Sequence, residues 1–188
     1  VPRVSVIIPA YNAAATIVGT IDSVLAQSFE DVEIICVDDG STDATLAIIK
    51  EYGDSVRLIE QANNGPAAAR NNGARNSSGE YLAFLDADDI WTPQFLERSV
   101  AALDSDPALS LVYCNCALAD SEGVALDTSL VGNGFDHAPS LNELLTKLWP
   151  IMPSAALVRR SAYDKCGGYR DALKGASFRF EDVDFWIK

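Results

Sequence analysis

Positive charge is scarce in this chain. Fourteen Lys and Arg stand against 27 Asp and Glu, a formal net charge of −13. Broad nucleic-acid binding needs a basic footprint, so the balance argues against a nucleic-acid partner. Long apolar runs are missing as well. Val4-Ser5-Val6-Ile7-Ile8 has strand length and is expected to stop at Pro9, far short of a bilayer span. No basic segment followed by a long apolar one marks a secretory leader. Histidine occurs once, as His137 after Phe135-Asp136, and reads as a solvent-exposed loop residue, with a third metal ligand as the alternative. There are four cysteines. Cys36 lies within an apolar strand, Cys114 and Cys116 are too few for a zinc site, and Cys166 precedes Gly167-Gly168. A reduced, cytoplasmic compartment is the simplest expectation. A membrane-linked acceptor at the inner face stays compatible, with segments absent here supplying a peripheral anchor. There is no internal repeat and no low-complexity tract.

What is present is an alternation of strand and helix patterns over 188 residues, enough for one domain with a sizeable core. The alternation predicts an α/β fold with a mostly parallel sheet. Strands are expected at Val4–Ile8, Glu33–Val37, Val56–Ile59 and Tyr81–Leu85. Helices are expected from the spacing of Ile17, Ile21, Val24 and Leu25, after Gly40-Ser41-Thr42-Asp43, over Pro66–Asn76, and after a Thr92-Pro93 cap with Leu96, Val100 and Leu103 inward. The pattern then changes. A strand over Leu109–Cys116, a hairpin turn at Asp120-Ser121-Glu122-Gly123 and a loop over Thr128–Pro139 are expected. A short helix capped by Ser140 and Glu143, a returning strand over Ser154–Val158 and a helix over Ser161–Cys166 closed by Gly167 follow. Glu181 to Lys188 reads as the first turns of a helix, so the chain is expected to be a single catalytic domain cut short of its natural end.

Three acidic clusters carry the chemistry. Asp38 and Asp39 follow the second strand; Asp86, Asp88 and Asp89 follow the fourth; Glu181, Asp182 and Asp184 come near the end. In an open α/β sheet, ligands bind outside the carboxyl ends of the strands, so the first two clusters share one crevice. Gathered carboxylates repel unless a cation or a shared proton intervenes. Mg²⁺ or Mn²⁺ binds such oxygens, usually together with substrate phosphates. Asp86 and Asp88, on an extended strand tip, are expected to point the same way. Tyr11 and Asn12 lie beyond Pro9 at the first strand's tip, where a base can rest on the Tyr11 ring. In Gly65-Pro66-Ala67-Ala68-Ala69-Arg70-Asn71-Asn72-Gly73, small residues allow the backbone to approach a ligand closely, and Arg70 offers a donor fork to a phosphate or a base carbonyl.

Taken in order, VSVIIPAYN, VDDGSTD, GPAAARNNG, FLDADD and the late Glu181-Asp182 pair resemble the family 2 glycosyltransferases, the inverting family with the GT-A fold. The resemblance runs from Val4 through Asp182. It implies a Rossmann-like sheet flanked by helices. A nucleotide-sugar-binding half would occupy 1–105 and a smaller, mixed acceptor-side half 106–188. By it, Pro9, Tyr11 and Asp39 would meet the nucleotide base, with Arg70 alongside, and Asp86 would face the ribose. Asp88 would ligate a Mn²⁺ or Mg²⁺ bridging the diphosphate. Ser154, in Met152-Pro153-Ser154, would lie near the acceptor, a sugar or lipid-linked hydroxyl. Asp182 would be the catalytic base, with Glu181 orienting it or exchanging roles. Gly167-Gly168-Tyr169 matches a loop leading towards that base. The implied activity is metal-dependent, inverting transfer from a nucleotide-diphosphate sugar, UDP-linked by preference. Cell-surface polysaccharide or glycoconjugate synthesis is the implied setting. The absence of a Gln-x-x-Arg-Trp motif speaks against a processive polymerase.

Two rivals come from other classes. A haloacid-dehalogenase-like phosphohydrolase also places Asp-x-Asp after an apolar strand, but that motif opens its domain and continues into Thr or Val. Here the motif follows the fourth strand and continues Asp89-Ile90. A non-catalytic sugar-nucleotide module fits poorly with a chain that keeps both the candidate metal ligand and the candidate base.

Overall fold

The computed structural model describes residues 1–120, 123–129 and 151–170. Its centre is a six-stranded sheet. Four strands come from the first half of the chain: β1 (Val4–Ala10), β2 (Val32–Asp38), β3 (Arg57–Glu60) and β4 (Tyr81–Phe84). They lie side by side in the order β3-β2-β1-β4, all parallel. Beyond β4 the sheet becomes mixed. β8 (Ala156–Arg159) pairs antiparallel with β4, and β5 (Leu111–Tyr113) pairs antiparallel with β8. A separate hairpin joins β6 (Ala117–Ala119) to β7 (Ala125–Ser129).

Both faces of the sheet are covered, which is why its strands read as unbroken apolar runs. In β1, Val4, Val6, Ile8 and Ala10 face one layer, built from α1 (Ile17–Leu25), α2 (Thr45–Glu51) and α4 (Phe95–Ser105). Ile7 faces the other layer, with Ile35 and Val37 of β2. There α3 (Pro66–Arg75) and α5 (Arg160–Cys166) pack through Ala69, Ala74 and Tyr163.

The expected elements are present with instructive shifts. β1 does not stop at Pro9 but continues to Ala10. Ile7 accepts the β4-side bond from the Leu85 N–H, so Pro9, two residues on, has its missing donor on that same side, where β4 has already ended. The missing N–H therefore breaks no ladder bond. Leu25 is half exposed, whereas Ile17, Ile21 and Val24 are buried. α4 opens at Phe95, after a turn in which the Thr92 carbonyl accepts the Phe95 N–H, and not at Pro93. Leu96, Val100 and Leu103 do face inward. β5 covers only the middle of the expected strand and leaves Cys114 and Cys116 outside it. Thr128 and Ser129 belong to β7, not to a loop. Pro153–Ala155 forms a 3₁₀ turn before β8. Gly167 closes α5 in the left-handed region, as expected. The helix expected after Ser140, His137 and the whole Glu181–Asp184 cluster lie outside the described residues.

Gly73 of α3 serves the packing of the helix on the sheet. A Cβ on Gly73 would lie 2.4 Å from Ile7 Cγ2 and 3.3 Å from Val37 Cγ2. The helix backbone sits that close to β1 and β2, and this closeness sets the height of Arg70 and Asn71 above the sheet. Gly73→Ala is therefore expected to lower the melting temperature. Overpacking of this kind costs about 1–3 kcal/mol, roughly 2–10 °C for a domain of this size. Helix propensity alone predicts the opposite sign, since Ala is favoured over Gly by about 1 kcal/mol in a helix interior. A thermal melt decides between them, and a raised melting temperature would refute the close-packing account.

Candidate active site

The chain runs from β1 out to β2 and β3 on one side, then crosses to β4 on the other. The order reverses between β1 and β4, the place where open α/β sheets form a ligand crevice. The loops after β1, β2 and β4 meet there.

The loops after β1 and β2 are tied through Asn12, the one non-glycine residue with positive φ (51°) among the described residues. Asparagine tolerates this region because its short side chain bonds locally. Asn12 Oδ1 accepts from the Thr42 N–H (2.8 Å), while its own N–H donates to Ser41 Oγ (3.0 Å). Thr45 Oγ1 and Asp43 accept from the backbone of Ala13 and Ala14. Tyr11 is held at the rim with half of its surface open, and Pro9 lies partly buried beneath it in β1. An exposed tyrosine on a fixed loop is a ready stacking platform.

Asp39 is 3% exposed, and the β3–α3 connection closes over it. Its Oδ1 accepts from Gln61 Nε2 and the Asn64 N–H, and its Oδ2 from the Gly65 N–H, each at 2.8 Å. Asn72 Nδ2 in turn holds Gln61 Oε1 at 2.7 Å. Oδ2 accepts this single bond, which leaves it acceptor capacity for an incoming N–H. Asp38 is equally buried; its Oδ2 accepts from the Ser41 N–H at 3.2 Å.

Asp86 and Asp88 part company. β4 ends at Phe84, and residues 86–89 form a turn in which the Asp89 N–H reaches the Asp86 carbonyl. They are not on an extended tip, so the expected common direction does not apply. Asp86 is fixed: Arg70 donates to its Oδ1 at 2.6 Å, an ion pair whose arginine side is 4% exposed and whose carboxylate is 30% exposed. Arg70 therefore braces the Asp86 carboxylate through Nη2. Asp88 stands exposed at the rim. Asp89 is half buried, and its carboxyl is raised above the usual range by burial, with the charges of Asp86 and Asp88 adding to this.

The Ser154 side chain points into the acidic turn, 7% exposed, where Oγ accepts the Asp86 N–H at 3.0 Å and a bond to Asp89 offsets part of the rise in that carboxyl. Trp91 Nε1 grips the Ser154 carbonyl at 2.6 Å. Ser154 thus fastens the turn before β8 to the turn after β4. At Cys116 nearby, burial, then Cys114 and Asp89, push the thiol up to about 11.

Sequence reasoning passed over three side chains that organise this site. Gln61 and Asn72 support Asp39, and Asn71 holds the chain at Tyr169. Their signal was present, since two asparagines in mid-helix disfavour a helix unless they bond elsewhere. Among the described residues no group of three His, Cys, Asp or Glu is placed to hold a metal by itself. The donor set fits instead an ion shared with a diphosphate, held by one or two carboxylates and substrate oxygens, as Mg²⁺ sites usually are.

Comparison with known proteins agrees with this layout. EpsE of Bacillus subtilis, which carries a provisional glycosyltransferase name, is 34% identical over 194 residues, covering 100% of this chain and 66% of EpsE. The Staphylococcus aureus TarS structure in complex with UDP superposes with a TM-score of 0.77 at 24% identity, covering 97% of this chain and 53% of TarS. The mannosyltransferase PcManGT of Pyrobaculum calidifontis, in complex with GDP-Man and Mn²⁺, gives a TM-score of 0.68 at 26% identity, over 90% of this chain and 48% of the other. The chain thus spans about half to two thirds of these three proteins. The fold is that of the GT-A glycosyltransferases, and the model of glycosyl transferase family 2 matches residues 5–167. The chain belongs to glycosyl transferase family 2.

Proposed function

We propose that this chain is the catalytic domain of an inverting, metal-dependent hexosyltransferase that uses a UDP-sugar and is completed by further sequence. The observation that carries the reading is the divergence of Asp86 and Asp88 at the switch point: one carboxylate locked by Arg70, its neighbour exposed beside it. A locked carboxylate suits a ribose diol, whose hydroxyls need a fixed acceptor. An exposed one suits a cation that arrives with the substrate. TarS was solved with UDP, and PcManGT with GDP-Man and Mn²⁺. Residues 1–105 form the nucleotide-sugar half of this reading, and 106–188 the acceptor-side half. The setting is the cytoplasmic side of a membrane, in cell-surface polysaccharide or glycoconjugate synthesis. Further segments provide any peripheral membrane contact. No helix among the described residues is long and apolar enough to cross a membrane.

In this reading the base lies against Tyr11 above Pro9, and its N–H reaches Asp39 Oδ2. Arg70 holds Asp86 towards the ribose. Asp88 would hold a divalent ion, which would supply charge stabilisation to a departing diphosphate. Asp182, assisted by Glu181, takes the proton of an acceptor hydroxyl as its oxygen attacks the anomeric carbon from the opposite face. One displacement inverts that carbon. Ser154 reaches the acceptor side through its backbone turn while its hydroxyl holds the acidic loop.

Incubating full-length protein with a panel of nucleotide sugars and Mn²⁺ tests the class. Nucleoside diphosphate released only with acceptor identifies a transferase. Free phosphate indicates a phosphohydrolase, and binding without turnover a sugar-nucleotide module. A second measurement addresses the base. Asp39→Ala is expected to weaken UDP by about ten-fold or more, the worth of a hydrogen bond to a charged group. Binding of pyrophosphate should change less. Equal losses for both ligands in calorimetry would move Asp39 away from the base.

A further inference from the structure

Behind the Arg70–Asp86 pair lies a second, fully buried contact set that the proposed chemistry does not use. Two glycines in the left-handed region, Gly167 (φ 75°) and Gly168 (φ 72°), turn the chain from α5 back to the sheet and deliver Tyr169 beneath α3. One side chain receives it. Asn71 Nδ2 donates to the Tyr169 carbonyl at 2.8 Å, and Asn71 Oδ1 accepts the Tyr169 N–H at 2.9 Å. A single carboxamide therefore pairs with both backbone groups of one residue, as a neighbouring strand would. The same Oδ1 accepts the Tyr163 hydroxyl at 2.6 Å. Gly168 must be glycine for two reasons: its φ, and a Cβ that would lie 2.7 Å from Asn71 Oδ1 and 2.8 Å from the Tyr163 hydroxyl.

The ring of Tyr169 is then placed by Phe84, edge-on at 5.2 Å, the last residue of β4 before the acidic turn. Its face carries the Arg70 guanidinium, 5.2 Å from the ring centroid. Arg70 is thus held by an aromatic face and by the Asp86 carboxylate. The two contacts fix a guanidinium that is 4% exposed, and a cation–π contact is strongest where water is excluded.

We infer that Asn71 and Tyr169 are positioning residues. They latch the chain entering its last segment to the donor pocket, and through Arg70 they set the aim of Asp86 at the ribose. The inference rests on the ribose role of Asp86 proposed above. Its consequence within the described residues is that the turn after α5 and the ribose carboxylate share one fastening, at Tyr169.

The test uses full-length protein, calorimetry with UDP and with GDP in Mn²⁺, and NMR of the arginine side chains. In wild type the Arg70 side-chain N–H resonance, assigned by its loss in Arg70→Lys, should be shifted by the ring current of Tyr169. Tyr169→Leu keeps apolar bulk and removes the π face. It is expected to abolish that shift and to weaken the preferred diphosphate by roughly five- to twenty-fold. Tyr169→Phe should restore both. Asn71→Ala, which leaves the ring chemistry intact but unfastens the backbone, should give the same loss as Tyr169→Leu. In an Asp86→Asn background, Tyr169→Leu should add almost nothing, because its effect runs through that carboxylate. Melting temperatures above the assay range keep folding losses apart. If Asp86→Asn weakens binding but Tyr169→Leu binds like wild type, or if the two effects simply add, the latch is refuted while the transferase reading stands. If Asp86→Asn itself binds like wild type, the ribose role falls, and this inference with it.

Discussion

Asp88→Ala is expected to remove the cation dependence of nucleotide binding. With Mn²⁺ present, affinity for UDP should fall by on the order of 100-fold, because charge neutralisation by a bound ion is worth several kcal/mol and each 1.4 kcal/mol is tenfold. Without the ion, wild type and variant should bind equally weakly. The structure makes this a clean substitution. Asp88 is exposed in the turn after β4, so its loss leaves no buried group unsatisfied and should cost little stability. Asp86 is the informative contrast. Its carboxylate carries the Arg70 guanidinium, so Asp86→Ala takes the carboxylate away from a buried cation and lowers stability as well as binding. A calorimetric titration with and without Mn²⁺, beside a thermal melt, distinguishes the two positions. Equal Mn²⁺-dependent affinity in wild type and Asp88→Ala would remove Asp88 from the metal site.

The parallel half of the sheet was legible because its strands are covered on both faces. Runs such as Val4–Ile8 and Glu33–Val37 have one physical explanation, and β1 and β2 lie where those runs do. The crevice was legible for the same reason, since acids at the ends of parallel strands must converge at a switch point. What the sequence could not display was direction. An extended tip and a tight turn differ by two backbone dihedrals, and the turn at 86–89 sends Asp86 to Arg70 and Asp88 to solvent. Arg70 read as a donor to a phosphate or a base carbonyl, and a lone arginine in a small-residue helix gives no sign of the carboxylate it will meet 16 residues later. Ser154 read as an acceptor contact because its motif is known by position, whereas its hydroxyl is committed 68 residues back, to the Asp86 N–H. Pairings at such separations are created by the fold, and local pattern carries no trace of them. Gly73 is the converse case: its smallness was visible, but the sequence did not say whether a ligand or the sheet required it.

Asp182→Asn should lower transfer to an acceptor by roughly 10²–10⁴-fold, the usual contribution of a positioned general base. The substitution keeps the shape of the side chain and removes its proton acceptor. Donor binding should change little, because the residues proposed to hold the nucleotide, Tyr11, Asp39, Asp86 and Asp88, all belong to the first half of the chain. Glu181 and Asp182 lie outside the described residues, so the assignment stands on the family resemblance. The course of the chain is defined as far as Tyr169, which Asn71 pins beside the donor pocket. The competing account is that Glu181, Asp182 and Asp184 only enrich the first turn of a helix, where acids favour the positive end of the dipole. Asp184 fits that role best. Capping predicts a stability loss of about 1 kcal/mol or less for Asp182→Asn, with turnover near normal. Catalysis predicts the reverse: a large rate loss with an unchanged melting temperature. Rate, donor affinity and melting temperature must therefore be measured on one preparation of the full-length variant. Glu181→Gln measured alongside ranks the two carboxylates, since the base loses rate at every acceptor concentration, whereas an orienting partner loses less. Full activity in full-length Asp182→Asn would exclude it as the base. Loss of donor binding together with activity would instead indicate a damaged fold.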